Sequence, residues 1–239
     1  MKRCHFFIPA FCAIIFGLPI GNAADNNAPI VPPQKGKSET IALFDGKSLD
    51  GWEGHPNRWS VSNGEIIGKN SDQVKVSTYL LTKQKFSDFQ LLFSAKLVES
   101  EMHTGIAIWG AAAPDRGDKY AYKGPLVMFP KPWGMYDVLG RAGLNVDAAP
   151  ALKVGSQHDW NHMELFAQGN RVRLVLNGVL VVDWREPDPM RVKGGPIALQ
   201  LHWNTEPQEV RFKGLKLVTF PNDQRLDGKK IGDKVAPPK

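Results

Sequence analysis

Residues 194–218, GGPIALQLHWNTEPQEVRFKGLKLV, decide how the chain is read. Side chains alternate across a β-strand, so Ile197, Leu199 and Leu201 share one face while Ala198, Gln200 and His202 share the other. The first set reads as core. The second joins a small residue to two hydrogen-bonding side chains, which suits a sheet surface that a polar ligand approaches. A purely structural sheet more often carries Lys, Thr or Glu on its wet face. Further on, Val210 and Phe212 share one parity and Leu215 and Leu217 the other, so a bulge at Gly214 is expected to restore the inward face.

Working outward, short apolar runs follow one another with turn signals between them. Trp59–Val61 and 65–68 flank Asn63-Gly64, and 171–176 and 179–184 flank Asn177-Gly178, two hairpin signatures. Phe89, Leu91, Phe93, Ala95 and Leu97 alternate cleanly over 89–98, and shorter strands are expected over 105–109, 126–129, 135–139 and 160–167. Trp52 and Trp59 are assigned to the core. No segment carries a long apolar stripe at helical period. The 23 Gly and 18 Pro, sitting mostly between these runs, favour the same class. The expected fold is all-β, a two-sheet antiparallel sandwich of the jelly-roll kind.

Residues 1–23 read as a secretory signal: Lys2 and Arg3, an apolar stretch from Phe6 to Ile20, then the small-residue site Gly21-Asn22-Ala23. The apolar stretch is shorter than the roughly 20 residues that span a bilayer, so removal is expected and no stable membrane insertion afterwards. Both cysteines, Cys4 and Cys12, fall in this leader. The exported chain then has no disulfide, must rely on a hydrophobic core, and has no thiolate for zinc. Residues 24–38 read as a flexible linker, 39–220 as the folded domain and 221–239 as a loosely held charged tail. The formal charge of +6 falls to about +4 without the leader, too weak and scattered for a nucleic-acid partner.

Ordered motifs tie the folded part to a known family. Leu43-Phe44-Asp45-Gly46-Lys47-Ser48-Leu49-Asp50-Gly51-Trp52, the Trp59–Ile67 hairpin, Phe86-Ser87-Asp88-Phe89-Gln90-Leu91, Thr104-Gly105-Ile106-Ala107-Ile108, Trp160-Asn161-His162, Val175-Leu176-Asn177-Gly178 and Gly195–His202 follow in sequence. Together they resemble the 3-keto-disaccharide hydrolase domain family across roughly 41–218. The resemblance implies a concanavalin A-like jelly roll and an exported carbohydrate-active hydrolase acting on 3-oxo-glycosides. The chain departs from the family where Trp109 replaces an Arg carried by many members, and where the stretch from Tyr120 to Phe129 has no acid.

A 3-oxo sugar sets its own chemistry. The ketone acidifies the proton on C2; a general base removes it, the enolate expels the group on C1, and water adds afterwards. Such a site needs a base, a proton donor for the leaving oxygen and donors to the enolate. It does not need the paired carboxylates of an ordinary glycosidase, and Glu99 and Glu101 do not make a convincing pair. His202 is the first candidate base or donor, although a histidine bonded to a neighbouring loop fits the pattern equally. Gln200 would orient a sugar hydroxyl or make a cross-strand hydrogen bond.

The second cluster is Trp133-Gly134-Met135-Tyr136-Asp137-Val138-Leu139-Gly140-Arg141, similar to a stretch in some family members. Asp137 is a candidate base and Arg141 a candidate anchor for the enolate, against a plain surface ion pair. Tyr136 and Asp137 are neighbours in sequence and point opposite ways on a regular strand. Tyr136, His103, Lys123 and Trp109 are expected to help bind substrate, with Trp109 stacking on a sugar ring from the parity of Gly105 and Ala107. Each has an ordinary reading as loop histidine, solvated lysine or core tryptophan. His158 and His162 lack a metalloprotease pattern, and no metal or cofactor is expected beyond a structural calcium held by backbone carbonyls, which the sequence leaves open. A lectin-like, non-catalytic carbohydrate-binding domain is the alternative.

Overall fold

The computed structural model describes residues 28–130, 134–137, 139–144, 146 and 153–238. The expected leader with Cys4 and Cys12, and Trp133, lie outside them.

Two antiparallel sheets face each other. The first runs β15 (Val179–Arg185), β14 (Arg171–Leu176), β13 (Asn161–Gln168), β6 (Phe89–Glu99), β17 (Gln208–Thr219), β4 (Glu65–Asn70) and β3 (Trp59–Ser62), with β1 (Thr40–Ala42) pairing on β17. The second runs β12 (Ala142–Leu144), β11 (Met135–Asp137), β10 (Leu126–Phe129), β7 (Thr104–Ala107), β16 (Gly195–Leu201), β5 (Thr78–Phe86) and β2 (Trp52–Glu53). A two-stranded ribbon, β8 (Ala111–Ala112) with β9 (Tyr122–Lys123), lies outside both.

The alternation read from the sequence places the core. Phe89, Leu91, Phe93, Ala95 and Leu97 of β6 meet Ile197, Leu199 and Leu201 of β16 in one buried cluster that also takes Trp52 and Trp59. The register of β17 slips between Lys213 and Lys216, where Gly214 takes φ 66°, so Val210, Phe212, Leu215 and Leu217 are all buried. The bulge does what the parity change requires. Asn63 and Gly64, and Asn177 and Gly178, take positive φ in the two hairpin turns, which Asn and Gly tolerate best.

Both ends of the described chain differ from expectation. Residues 28–38, read as a flexible linker, are fastened to the first sheet. Asn170 receives the Val31 amide on its Oδ1 at 3.1 Å and donates its Nδ2 to the Pro29 carbonyl at 2.7 Å, while Asp88 accepts the Gln34 amide at 3.1 Å. A side-chain amide and a carboxylate at two turns supply partners that the segment's own composition does not announce. Residues 221–238, read as a loosely held tail, pack Leu226 and Val235 onto Phe166, Val175 and Leu180 on the outer face of the first sheet. Arg225 pairs there with Glu164 and Asp223. No helix among the described residues is long and apolar enough to cross a membrane.

Candidate functional site

The outer face of the second sheet carries the residues singled out from residues 194–218. Strand β16 pairs with β5 so that Gln200 lies opposite Tyr79, and with β7 so that Ala198 lies opposite Ala107. Tyr79, Leu81, Ala107, Leu126, Met128 and Ala198 form a small apolar cluster on this face with Tyr122 of the ribbon. The segment from Gly110 to Gly124 arches over it. The Tyr122 hydroxyl donates to the Pro196 carbonyl and accepts the Gly110 amide, both at 2.9 Å, and the Tyr120 carbonyl accepts the Tyr79 amide at 3.1 Å. His55 holds the outer bend of the segment through Asp118 at 3.0 Å.

At the end of β16, Gln200 and His202 are buried, at 1% and 5% exposure. Gln200 Nε2 donates to Ser77 Oγ at 3.1 Å, and Ser77 Oγ also accepts the Trp203 amide at 3.1 Å. The Oε1 of Gln200 and the Nδ1 of His202 are buried without a hydrogen-bond partner. The His103 ring meets that of His202 edge to face, 4.4 Å between centroids. Burial pushes His202 down to about 4 against a backbone hydrogen bond at Trp203. Burial, followed by repulsion from His202, pushes His103 down to about 3. Burial also raises the Tyr79 phenol above its usual value, against hydrogen bonds from Gln200 and Ser77. At neutral pH the patch holds two free-base imidazoles and a protonated phenol. Tyr136 lies on the same face opposite Leu126, half-exposed.

Asp137 and Arg141 are together, but elsewhere. They line a cleft of about 410 Å³ with Lys85, Lys123, Arg191, Lys193 and Gly194, at the start of β16. Asp137 Oδ2 lies 3.4 Å from Arg141 Nε and 3.7 Å from Arg191. Arg141 forks onto Glu186, both arms at 2.8 Å, and Glu186 is fully buried. Burial works against the charge on Arg141, and the Glu186 and Asp137 carboxylates outweigh it. From Gly194 at the cleft to His202 the chain runs the whole of β16, about 26 Å at strand rise. The single site expected from His202, Gln200, Asp137 and Arg141 is thus two sites at opposite ends of one strand. Asp137 has the parity of the core-facing Met135, while Tyr136 faces outward as alternation requires.

Trp109 does not lie on the outer face with Gly105 and Ala107 as expected. Strand β7 ends at Ala107, and Trp109 takes a left-handed φ of 53° that turns its ring off the outer face. The ring lies in the core at 3% exposure and donates its Nε1 to the Ser87 carbonyl at 2.8 Å. Lys123 is exposed at the cleft rim, and His103 is buried beside His202 rather than in an open loop. Sequence reasoning missed Tyr79 and Ser77. They lead the edge of β5, where Tyr79-Leu80-Leu81 is buried on both faces and shows no alternation. It also missed Glu186, Arg191 and Lys85, which no local pattern marks. Among the described residues no group of three or more His, Cys, Asp or Glu is arranged to hold a metal ion.

The sandwich, with a polar patch on one sheet face and a charged cleft at its end, defines a jelly roll of the carbohydrate-active class. The chain belongs to the family described as the 3-keto-alpha-glucoside-1,2-lyase-like domain, which matches residues 39–218. Solved structures agree on the fold. A candidate glycosyl hydrolase from Parabacteroides distasonis ATCC 8503 is 20% identical, covering 77% of this chain and 94% of that one, TM-score 0.52. A protein of unknown function with a galectin-like fold from Bacillus subtilis is 11% identical, covering 78% and 99%, TM-score 0.54. A β-glucanase from Bacillus licheniformis is 11% identical, covering 79% and 100%, TM-score 0.51. At these identities the likeness is one of fold. No curated protein sequence matches the chain significantly.

Proposed function

We propose that the chain is an exported enzyme acting on 3-oxo-glycosides, with its site around His202, Gln200, His103 and Tyr79 on the outer face of the second sheet. One observation carries this reading: Gln200 Oε1 and His202 Nδ1 are buried on neighbouring positions with no hydrogen-bond partner. A buried polar atom without a partner costs about 1–3 kcal/mol. A polyhydroxylated ligand supplies both missing partners, and a structural sheet gains nothing from leaving them open. Membership in a family described by a 1,2-lyase supports elimination as the chemistry.

The patch has the groups that elimination needs. Free-base His202 takes the C2 proton, breaking C2–H, and the electrons pass into the enolate of the 3-oxo group. The enolate collapses to a C1–C2 double bond as C1–O breaks, and the protonated Tyr79 phenol gives its proton to the departing oxygen. Transfer from the imidazolium to the phenolate restores both residues. Addition of water across the double bond then completes a net hydrolysis. His103, neutral beside His202, leaves room for only one positive charge in the pair.

The test is incubation of the purified protein with 3-oxo-trehalose and 3-oxo-lactose in D2O. The reading expects release of the sugar on C1 and solvent exchange at C2, both lost in H202Q, with release slowed and C2 exchange retained in Y79F. No release and no C2 exchange from any 3-oxo-glycoside would remove it. A second reading, a non-catalytic carbohydrate-binding domain, is favoured by the near-complete burial of Gln200 and His202. It expects saturable sugar binding with no turnover. Export to the periplasm or the medium rests on the pattern of residues 1–23, and the N-terminal sequence of the mature protein tests it.

A further inference from the structure

We infer that the cleft at the start of β16 is a separate binding site for an oxyanion carried on a saccharide, a sulfate ester or a uronate carboxylate. Five cationic side chains line it, Lys85, Lys123, Arg141, Arg191 and Lys193, against the single carboxylate of Asp137. The acids behind the wall do not neutralise this set. Glu186 is committed to Arg141 by a bidentate fork, and Asp188 to Arg191 at 3.3 Å. Lys85, Lys123 and Lys193 make no ion pair among the described residues, and all three are exposed around one opening. Like charges gathered at a concave surface focus a positive potential and raise the local concentration of anions.

The two guanidiniums differ from the lysines in kind. Arg141 is held in place by Glu186 and by Trp184, whose ring centre lies 5.9 Å from the guanidinium carbon. Three of its five N–H groups are used on Glu186 and Asp137, and the remaining two have no partner among the described residues. A pre-fixed planar fork pays little entropy on binding a planar or tetrahedral oxyanion, and flexible lysines around it add charge without demanding geometry. At about 410 Å³ the cleft has room for a disaccharide-sized ligand. Its backbone floor is tight: a Cβ at Gly110 would lie 2.0 Å from the Lys123 carbonyl, and one at Gly195 2.4 Å from that of Gly110. The lining strands are packed backbone to backbone, so the opening is a fixed feature of the fold.

The site does not depend on the elimination reading, since about 26 Å of strand separates the two. Titration calorimetry at low ionic strength tests it, using a uronate disaccharide, a sulfated disaccharide, the neutral parent disaccharide and inorganic sulfate as probes. The expected result is binding of both charged sugars at least tenfold tighter than the neutral parent, weakened by 0.5 M NaCl. The triple variant K85Q/K123Q/K193Q, with all changes on exposed side chains, is expected to lose at least tenfold of that affinity and keep its melting temperature. Sulfate alone binding as tightly as the sulfated sugar assigns the site to a free oxyanion and overturns the saccharide part. Equal affinity for charged and neutral sugars, or a triple variant that binds as well as the parent chain, overturns the whole.

Discussion

His103 and His202 lie edge to face with ring centroids 4.4 Å apart, one just before β7 and one just after β16. Their pairing makes each ring part of the other's low-dielectric surroundings, and both are held as free bases.

That pair sets an acid limit on stability. In the unfolded chain both histidines take up protons near pH 6.5, whereas in the folded chain they do so only near 4 and 3. The unfolded state binds more protons in between, so stability is complete above pH 6.5 and falls as pH drops toward 4. His202 alone contributes up to about 3 kcal/mol of that slope. Urea midpoints between pH 3.5 and 7.5 measure it, and H103Q/H202Q is expected to flatten the curve. An unchanged slope in the double variant would show that other groups cause it.

Catalysis on a 3-oxo-glycoside carries the same signature. With His202 as base, kcat/KM is expected to stay level from about pH 5 to 8 and to fall only below that, with an apparent pKa near 4. A limb near 6.5 would mean that a solvent-exposed histidine does the work. Replacing Tyr79 by Phe is expected to cost about 10²–10⁴ in rate while leaving substrate affinity nearly intact.

Removing one side of the Arg141–Glu186 fork leaves a buried charge without a partner. R141A is expected to destabilise the fold by about 3–5 kcal/mol, and a paired apolar replacement, R141M/E186L, to recover much of that. Thermal unfolding of the three proteins reads the difference directly.

Tryptophan 109 is a core residue, so W109A should cost about 3–5 kcal/mol through the cavity it leaves. Affinity of the His202 patch for a neutral sugar, per folded molecule, should not change. A selective loss of binding with normal stability would restore the stacking role that the sequence suggested.

Ending the chain at Phe220 uncovers Phe166, Val175 and Leu180 and removes Leu226 and Val235, each worth about 1.5–3 kcal/mol when buried. The truncated protein is expected to melt earlier and to bind a hydrophobic dye. Equal melting temperatures would show the C-terminal packing to be energetically idle.

The fold was legible where burial is one-sided. Alternation over 89–98 and 171–176 located β6 and β14, and the parity change at Gly214 located a bulge. Strand β5 carries no such mark, because its middle is buried on both faces, and it was missed together with Tyr79. The site was half legible. Gln200 and His202 read correctly as facing away from the core, but no local pattern tells that Tyr120 and Tyr122, some eighty residues earlier, fold onto the same face at Tyr79 and Pro196. Asp137 and Arg141 read correctly as partners. Their distance from His202 depends on the lie of β16 in the sheet, which pairing decides and sequence spacing does not. Trp109 failed because one left-handed residue past the end of β7 undoes the alternation on which its placement relied.

Strand β17 sits between β6 and β4 at the middle of the first sheet, and β16 sits between β7 and β5 at the middle of the second. Both are made last. A nascent chain released from the ribosome short of Thr219 therefore holds two split half-sheets with open edges, not a smaller version of the fold. Both strands must be in place before either layer can close, which leaves an interval in which a holding chaperone meets this protein unfolded.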